Sequence, residues 1–177
     1  MDEKVLQMIA EAAGREHGWR ADEIRVDEVE RLRRPSCSFY TVGHTVLPLS
    51  YQANYALIGG DQVAGIGDTA KILDACSGSA SAEWWAEIVT RFHQELGAGI
   101  VLRDEKVRPN VVKRMLDAGR PFQPPTLDEG RGSLSFLVLN PETNVVYQVR
   151  AARTAQGSVE VEKTKIRLAA AQRTSVH

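Results

Sequence analysis

One amphipathic segment constrains the fold of this chain more than any other feature. Residues 81–97, SAEWWAEIVTRFHQELG, begin at a typical N-cap serine and end at a glycine, a typical helix stop. Between them, apolar side chains at helical spacing form one continuous stripe: Trp85, Ile88, Val89, Phe92 and Leu96. Burying such a stripe is worth about 1.5–3 kcal/mol per large side chain before entropy is subtracted. The sequence therefore predicts a helix over 81–97 that covers a sheet.

The remaining segments predict strands towards both ends of the chain and helices between them. A first helix is expected over 2–16, and a further one starts near Pro109. The expected strands lie within 24–34, 36–49, 55–58, 63–66, 133–140, 145–151 and 157–168. Because this order is not an alternation of strand and helix, it predicts an α+β fold, with a mostly antiparallel sheet packed against helices on one face.

Length and composition predict one compact domain. The 177 residues suit a single domain, which we expect over 1–168, with a flexible C-terminal tail over 169–177. Residues 121–133 contain three prolines and two glycines and predict the clearest internal loop. From Arg150 onwards there are six Lys/Arg and two Glu, a bias that suits protection of a sheet edge from pairing.

Charge and targeting signals exclude several functional classes. A net charge of −1 provides no global field for nucleic acid, and no apolar stretch approaches the roughly 20 residues of a membrane span. The acidic, amphipathic start is unlike a secretory signal, so we expect a cytoplasmic protein with Cys37 and Cys76 as reduced, partly buried thiols. No phosphate-loop, dinucleotide or metal-ligand spacing occurs, so neither cofactor nor metal is predicted.

Three polar residues are weak candidates for catalysis. Cys37 and His44 suggest a thiol–imidazole pair, and Asp61 supplies a carboxylate. Seven residues apart on one strand, however, Cys37 and His44 are predicted to point to opposite faces, because side chains alternate along a strand. A small hydrolase or transferase would therefore need these groups to be assembled by the tertiary structure.

Aromatic residues are the candidates for binding. Trp84 lies about 100° from Trp85 on the helix, so we expect it at the edge of the core, where an exposed tryptophan would mark an interface. Tyr40, Tyr51 and Tyr55 concentrate near the edge of the first predicted sheet and would extend such a patch. A pocket for a small ligand, lined by Phe39, Tyr55 and Trp84, is a further alternative.

Together these patterns favour a non-enzymatic protein-binding module that holds a partner on a sheet face or edge. In layout alone, the succession of a helix, early strands, central helices and a late hairpin resembles small bacterial chaperone and immunity-type domains. That resemblance implies an immunity or adaptor role with a protein partner.

Overall fold

The computed structural model describes residues 2–47, 52–97, 99–128 and 130–169. Its internal contacts divide the chain into two compact units, which we call the N-terminal unit (Met1–Ala80 and Ile88–Ala98) and the C-terminal unit (Ser81–Glu87 and Gly99–His177). Each unit contains one antiparallel sheet. The predicted α+β class, with antiparallel sheets packed against helices, is confirmed. The extent of the predicted domain, 1–168, stays a prediction.

The first helix, α1 (Glu3–His17), begins and ends as the sequence predicts. The side chain of Asp2 accepts a hydrogen bond from the backbone N–H of Lys4, which satisfies one of the free amides at the helix start. Gly18 ends the helix at a φ of 71°, a left-handed conformation that glycine adopts without steric cost. Ile9 and Ala13 are the fully buried residues of its apolar face.

The sheet of the N-terminal unit has the strand order β1-β2-β3-β4. Its strands are β1 (Ile24–Glu28), β2 (Cys37–His44), β3 (Gln52–Ile58) and β4 (Gln62–Ala64). Alternation along the strands assigns every second side chain to the face that α1 covers. The buried members of that layer are Tyr40, Val42, Tyr55 and Leu57, packed with Ile9 and Ala13 of α1.

The opposite face of this sheet is covered as well, which corrects the prediction of helices on one face only. Helix α2 (Thr69–Cys76) contacts β3 and is joined to β2 by a disulfide bond between Cys37 and Cys76. The ring of Phe39 on β2 packs edge-on against Phe92, with 6.1 Å between centroids. The physical reason is that β2 is apolar on both faces, so one layer of helices leaves half of its side chains uncovered.

The central helix, α3 (Ala82–Phe92), is shorter than the predicted segment 81–97. The hydroxyl of Ser81 accepts the N–H of Trp84, as expected for an N-cap. Beyond Phe92 the chain turns, and Nδ1 of His93 accepts the backbone N–H of Glu95. Trp84 is buried and Trp85 is half-buried, so the predicted order of burial for these two residues was wrong.

The C-terminal unit contains a five-stranded antiparallel sheet, a covering helix and the first turns of α3. Strands β5 (Ile100–Val101) and β6 (Thr126–Asp128) both pair with β7 (Ser133–Asn140). The sheet continues through β8 (Val145–Arg153) to β9 (Val159–Ile166), which lies at its edge as the basic C-terminal sequence suggested. Strand β6 lies inside residues 121–133, so the predicted loop contains a short strand.

One half of a face of this second sheet is covered by helix α4 (Pro109–Asp117). Met115 packs with Leu137, Leu139 and Val146 in a compact apolar cluster. Ala169 exchanges hydrogen bonds with Arg114, and the rest of the tail predicted to be flexible lies outside the described residues.

Among the described residues, no helix has the length and apolarity that crossing a bilayer requires.

The disulfide corrects the expectation of reduced thiols. Both cysteines are buried, and their pairing closes a loop with a sequence separation of 39 residues. Closing such a loop lowers the conformational entropy of the unfolded chain. The spacing alone did not predict the pairing because the two residues meet only after α2 docks on the sheet.

We predict that the disulfide stabilises the protein by about 2–4 kcal/mol. Urea denaturation with and without a reducing agent measures this difference directly. The double variant Cys37→Ala, Cys76→Ala is the matched control, and its unfolding should not respond to the reductant. Equal urea midpoints for the oxidised and reduced native protein would contradict the prediction.

Candidate functional site

An open groove runs between α1 and the edge strand β1. It has a volume of about 730 Å³. The apolar side chains that line it come from both elements and from the segment between them: Leu6, Ala10, Trp19, Ile24 and Val26. All five are only partly buried, so α1 leaves a strip of the sheet uncovered beside β1. Such a partly apolar groove beside an open strand is a common site for recognition of extended chains.

Every second residue of β1 directs its backbone N–H and C=O groups away from β2, towards the outer side of the sheet. Hydrogen bonds from Thr45 N to Glu23 O (2.7 Å) and from Val29 N to Phe39 O (2.7 Å) mark the two ends of the β1–β2 ladder. Because hydrogen-bonded pairs alternate in an antiparallel ladder, residues 24, 26 and 28 direct their N–H and C=O groups away from β2. No other described strand pairs with β1. Its outer edge therefore offers three donors and three acceptors.

The rim of the groove is acidic. Glu3 and Glu11 of α1 line it and are exposed. On β1, Arg25 is already matched by Asp27, with Nε 2.8 Å from the carboxylate. The whole N-terminal unit contains nine Lys/Arg against thirteen Asp/Glu, so its charge agrees in sign with that of the rim. A cationic ligand is favoured there over an anionic one.

Trp19 is the aromatic residue at this site, and the sequence analysis did not single it out. It stacks on His17 with 4.7 Å between ring centroids and meets His44 edge-on at 5.7 Å. Its position directly after Gly18, the end of α1, was the available signal. After a glycine ends a helix that covers a sheet, the chain returns to that sheet, so the next residue lies close to it. A half-buried tryptophan at this point supplies a large contact surface.

The tyrosines and tryptophan predicted for binding do not form an exposed patch. Tyr40, Tyr55 and Trp84 have only 4%, 2% and 4% of their surface exposed. Tyr51 lies outside the described residues. Tyr40 and Tyr55 are cross-strand partners beneath α1, where an aromatic pair stabilises the sheet. They support the groove from within the core.

The predicted ligand pocket is not assembled in the N-terminal unit. Phe39 and Tyr40 are consecutive on β2, so they point to opposite faces, and Tyr55 shares the face of its partner Tyr40. Phe39 packs against Phe92 on the side away from α1. Phe39 and Tyr55 therefore cannot line one cavity, because the sheet lies between them.

The three weak catalytic candidates are likewise separated. Cys37 is held in the disulfide and has no free thiol. The register confirms that Cys37 and His44 occupy opposite faces, since His44 pairs with Ile24 beneath α1. Asp61 lies in the exposed turn after β3, near the Cys37 end of β2. The structure does not bring these groups together, and the disulfide leaves the thiol–imidazole hypothesis without its thiolate nucleophile.

Tyr55 contributes a buried hydrogen bond at the foot of α1. Its hydroxyl donates to Oε2 of Glu16 at 2.9 Å. Burial raises the pKa of Tyr55 above its ordinary value, and the hydrogen bond to Glu16 and the charge of that carboxylate raise it further. The phenol therefore stays protonated in the folded protein at pH values where an unfolded tyrosine ionises. This contact ties the end of α1 to β3 and so fixes one wall of the groove.

A second groove, of about 510 Å³, lies on the C-terminal unit beside the half of the sheet that α4 leaves open. Ser133 and Ser135 on β7, Arg150 on β8, and Glu160 and Glu162 on β9 line it. Hydroxyl, cationic and anionic groups follow one another across the strands, so the surface has no field of one sign to select a ligand class. We regard it as the solvated half of the sheet face.

Comparisons with protein-family models, with curated proteins and with solved structures gave no match to this chain. Over residues 2–47, 52–97, 99–128 and 130–169, no group of three or more His, Cys, Asp or Glu side chains is placed to hold a metal ion.

We predict that Tyr55→Phe lowers the free energy of unfolding by about 1 kcal/mol at neutral pH, since it removes a hydrogen bond to a partly exposed carboxylate. Because the folded pKa is raised, this tyrosine stabilises the native state fully below about pH 10 and progressively less above it. Urea titrations at about pH 7, 9 and 11 should show the gap between wild type and variant closing at high pH. Tyr147→Phe is the control; a gap that widens with pH would refute the assignment.

Proposed function

We propose that the protein is a binding module that takes up an extended segment of a partner protein as an additional strand on β1, with α1 covering the added strand. The observation that carries this proposal is the open edge of β1 beside an apolar groove. An added strand would find backbone partners at residues 24, 26 and 28. Every second side chain of that strand would enter the groove beneath Leu6 and Ala10.

The chemistry of the groove specifies the partner further. Its apolar floor favours small or branched aliphatic side chains at alternate positions of the bound segment. Glu3 and Glu11 on the rim favour lysine or arginine in the segment over acidic residues. We therefore propose an extended segment that combines apolar residues with basic ones. An immunity or adaptor role in a bacterium is one concrete form of this function.

The sequence and the disulfide favour different cellular locations for the protein. The sequence favours the cytoplasm, whereas the disulfide between Cys37 and Cys76 favours an oxidising environment, where such bonds persist. Trapping of thiols in freshly lysed cells, followed by mass spectrometry, distinguishes the two. A trapped free thiol on both cysteines would support the cytoplasmic location.

We predict that Val26→Pro weakens strand addition without unfolding the sheet. The N–H of Val26 points outwards, so proline removes a donor to the partner but no hydrogen bond to β2. The probe is a blocked eight-residue peptide that alternates valine with lysine, and binding is measured by calorimetry and by amide shifts of residues 24, 26 and 28. We expect the affinity to fall at least about tenfold, the equivalent of one lost hydrogen bond.

The matched control for this experiment is Val26→Thr, which keeps both the N–H and a β-branched side chain. It should bind the peptide about as well as the wild type does. Equal binding by Val26→Pro, with the β1–β2 amides unchanged, would rule out strand addition at this edge. Absence of binding by the wild type would rule out this partner chemistry.

We predict that charge reversal on the rim reverses the preference for the peptide. In the double variant Glu3→Lys, Glu11→Lys, a valine–glutamate peptide should bind more tightly than the valine–lysine peptide, because the sign of the local field changes. The effect should weaken as salt is added, since the rim is exposed. An unchanged preference would mean that side chains elsewhere select the partner.

A further inference from the structure

His44 is engaged at both ring nitrogens at one end of the groove. Its Nδ1 atom lies 3.1 Å from the backbone nitrogen of Val46 and 3.2 Å from that of Leu47, and accepts a hydrogen bond from each. Its Nε2 atom lies 3.6 Å from a carboxylate oxygen of Glu23. The side chain is only 11% exposed. These contacts define the protonation state that the arrangement requires.

A ring nitrogen that accepts hydrogen bonds carries a lone pair and no proton. The neutral imidazole therefore holds its single proton on Nε2, on the side of Glu23. A second proton has only Nδ1 to bind, and there it would meet the N–H groups of Val46 and Leu47. Donor would face donor, so the charged ring and the observed arrangement of residues 46 and 47 exclude one another.

The surroundings of the ring decide what moves when it is protonated. Glu23 attracts the imidazolium and keeps the ring in place. Among the described residues, titratable groups on this side include His17, whose ring lies against Trp19, and Glu16, 3.9 Å from His17. Val46 and Leu47 are exposed, at 81% and 39%, so little packing holds them once their acceptor is lost. Protonation therefore displaces residues 46 and 47, while the ring of His44 stays beside Glu23.

We propose that His44 is a proton-operated switch on the turn after β2: the neutral imidazole holds the amides of Val46 and Leu47, and protonation releases them while the ring stays beside Glu23. The switch lies at one end of the groove, because the same ring packs against Trp19. Thr45 remains bonded to Glu23 O through its amide and its hydroxyl, so the change does not extend back into β2. The switch operates whether or not the groove is occupied.

The test is a titration from about pH 8 to about pH 5, the range over which histidine changes charge, followed by nuclear magnetic resonance. We expect the amide shifts of Val46 and Leu47 to move with the same midpoint as the ring signals of His44. Their protection against hydrogen exchange, corrected for the intrinsic effect of pH, should fall at least about tenfold. The valine–lysine peptide is absent from this sample, so the result is separate from the test of the groove.

Two variants complete the experiment. His44→Asn places an amide oxygen where Nδ1 stands and does not titrate, so residues 46 and 47 should keep the same shifts across the range. His17→Gln removes the neighbouring histidine and should leave the response of the wild type intact. The proposal is overturned if His44 stays neutral at pH 5, if it becomes charged while both amides remain protected, or if the response persists in His44→Asn.

Discussion

Strict alternation along β2 is the constraint on which the N-terminal unit depends. Cys37, Phe39 and Thr41 face the layer that holds α2 and Phe92, whereas Tyr40, Val42 and His44 face α1. A shift of the strand by one residue would exchange these two sets and place the hydroxyl of Tyr40 where Phe39 packs. Because both faces are covered, packing on each face independently fixes the register of β2. The disulfide fixes one end of the strand to α2, and at the other end His44 accepts hydrogen bonds from the amides of Val46 and Leu47.

The edge strands β9 and β1 of the two sheets differ in the side chains that flank them. Strand β9, the edge of the second sheet, alternates charged residues over much of its length, including Glu160, Glu162 and Lys165, a pattern that opposes pairing with another chain. Strand β1 is also charged, at Arg25, Asp27 and Glu28, but its Ile24 and Val26 face the groove. An open edge with an apolar flank is a liability unless something pairs with it. The apolar flank of β1, and not the charge of the strand, supports the proposed addition of a strand there.

Local patterns predicted the elements, and long-range packing decided the rest. The cap at Asp2, the stop at Gly18 and the hairpin turns are encoded within a few residues, so α1 and most strands followed from the sequence. The order of burial of Trp84 and Trp85 did not, because two adjacent apolar residues on a helix leave its orientation ambiguous by about 100°. The disulfide and the groove each need elements that are distant in sequence to meet. Trp19 was missed because its role depends on where α1 lies over β1.

Several polar groups of the N-terminal unit are used in holding the fold. The two cysteines are bonded to each other, the Tyr55 hydroxyl is donated to Glu16, and the Arg91 guanidinium donates to Thr41 and Asn54 across the sheet. A group that must give up such a bond to contact a ligand loses the free energy that the bond contributes. The outward backbone groups of β1 carry no such commitment among the described residues. Pairing of these groups with an extended chain, as proposed, would break no strand-to-strand hydrogen bond of the described residues.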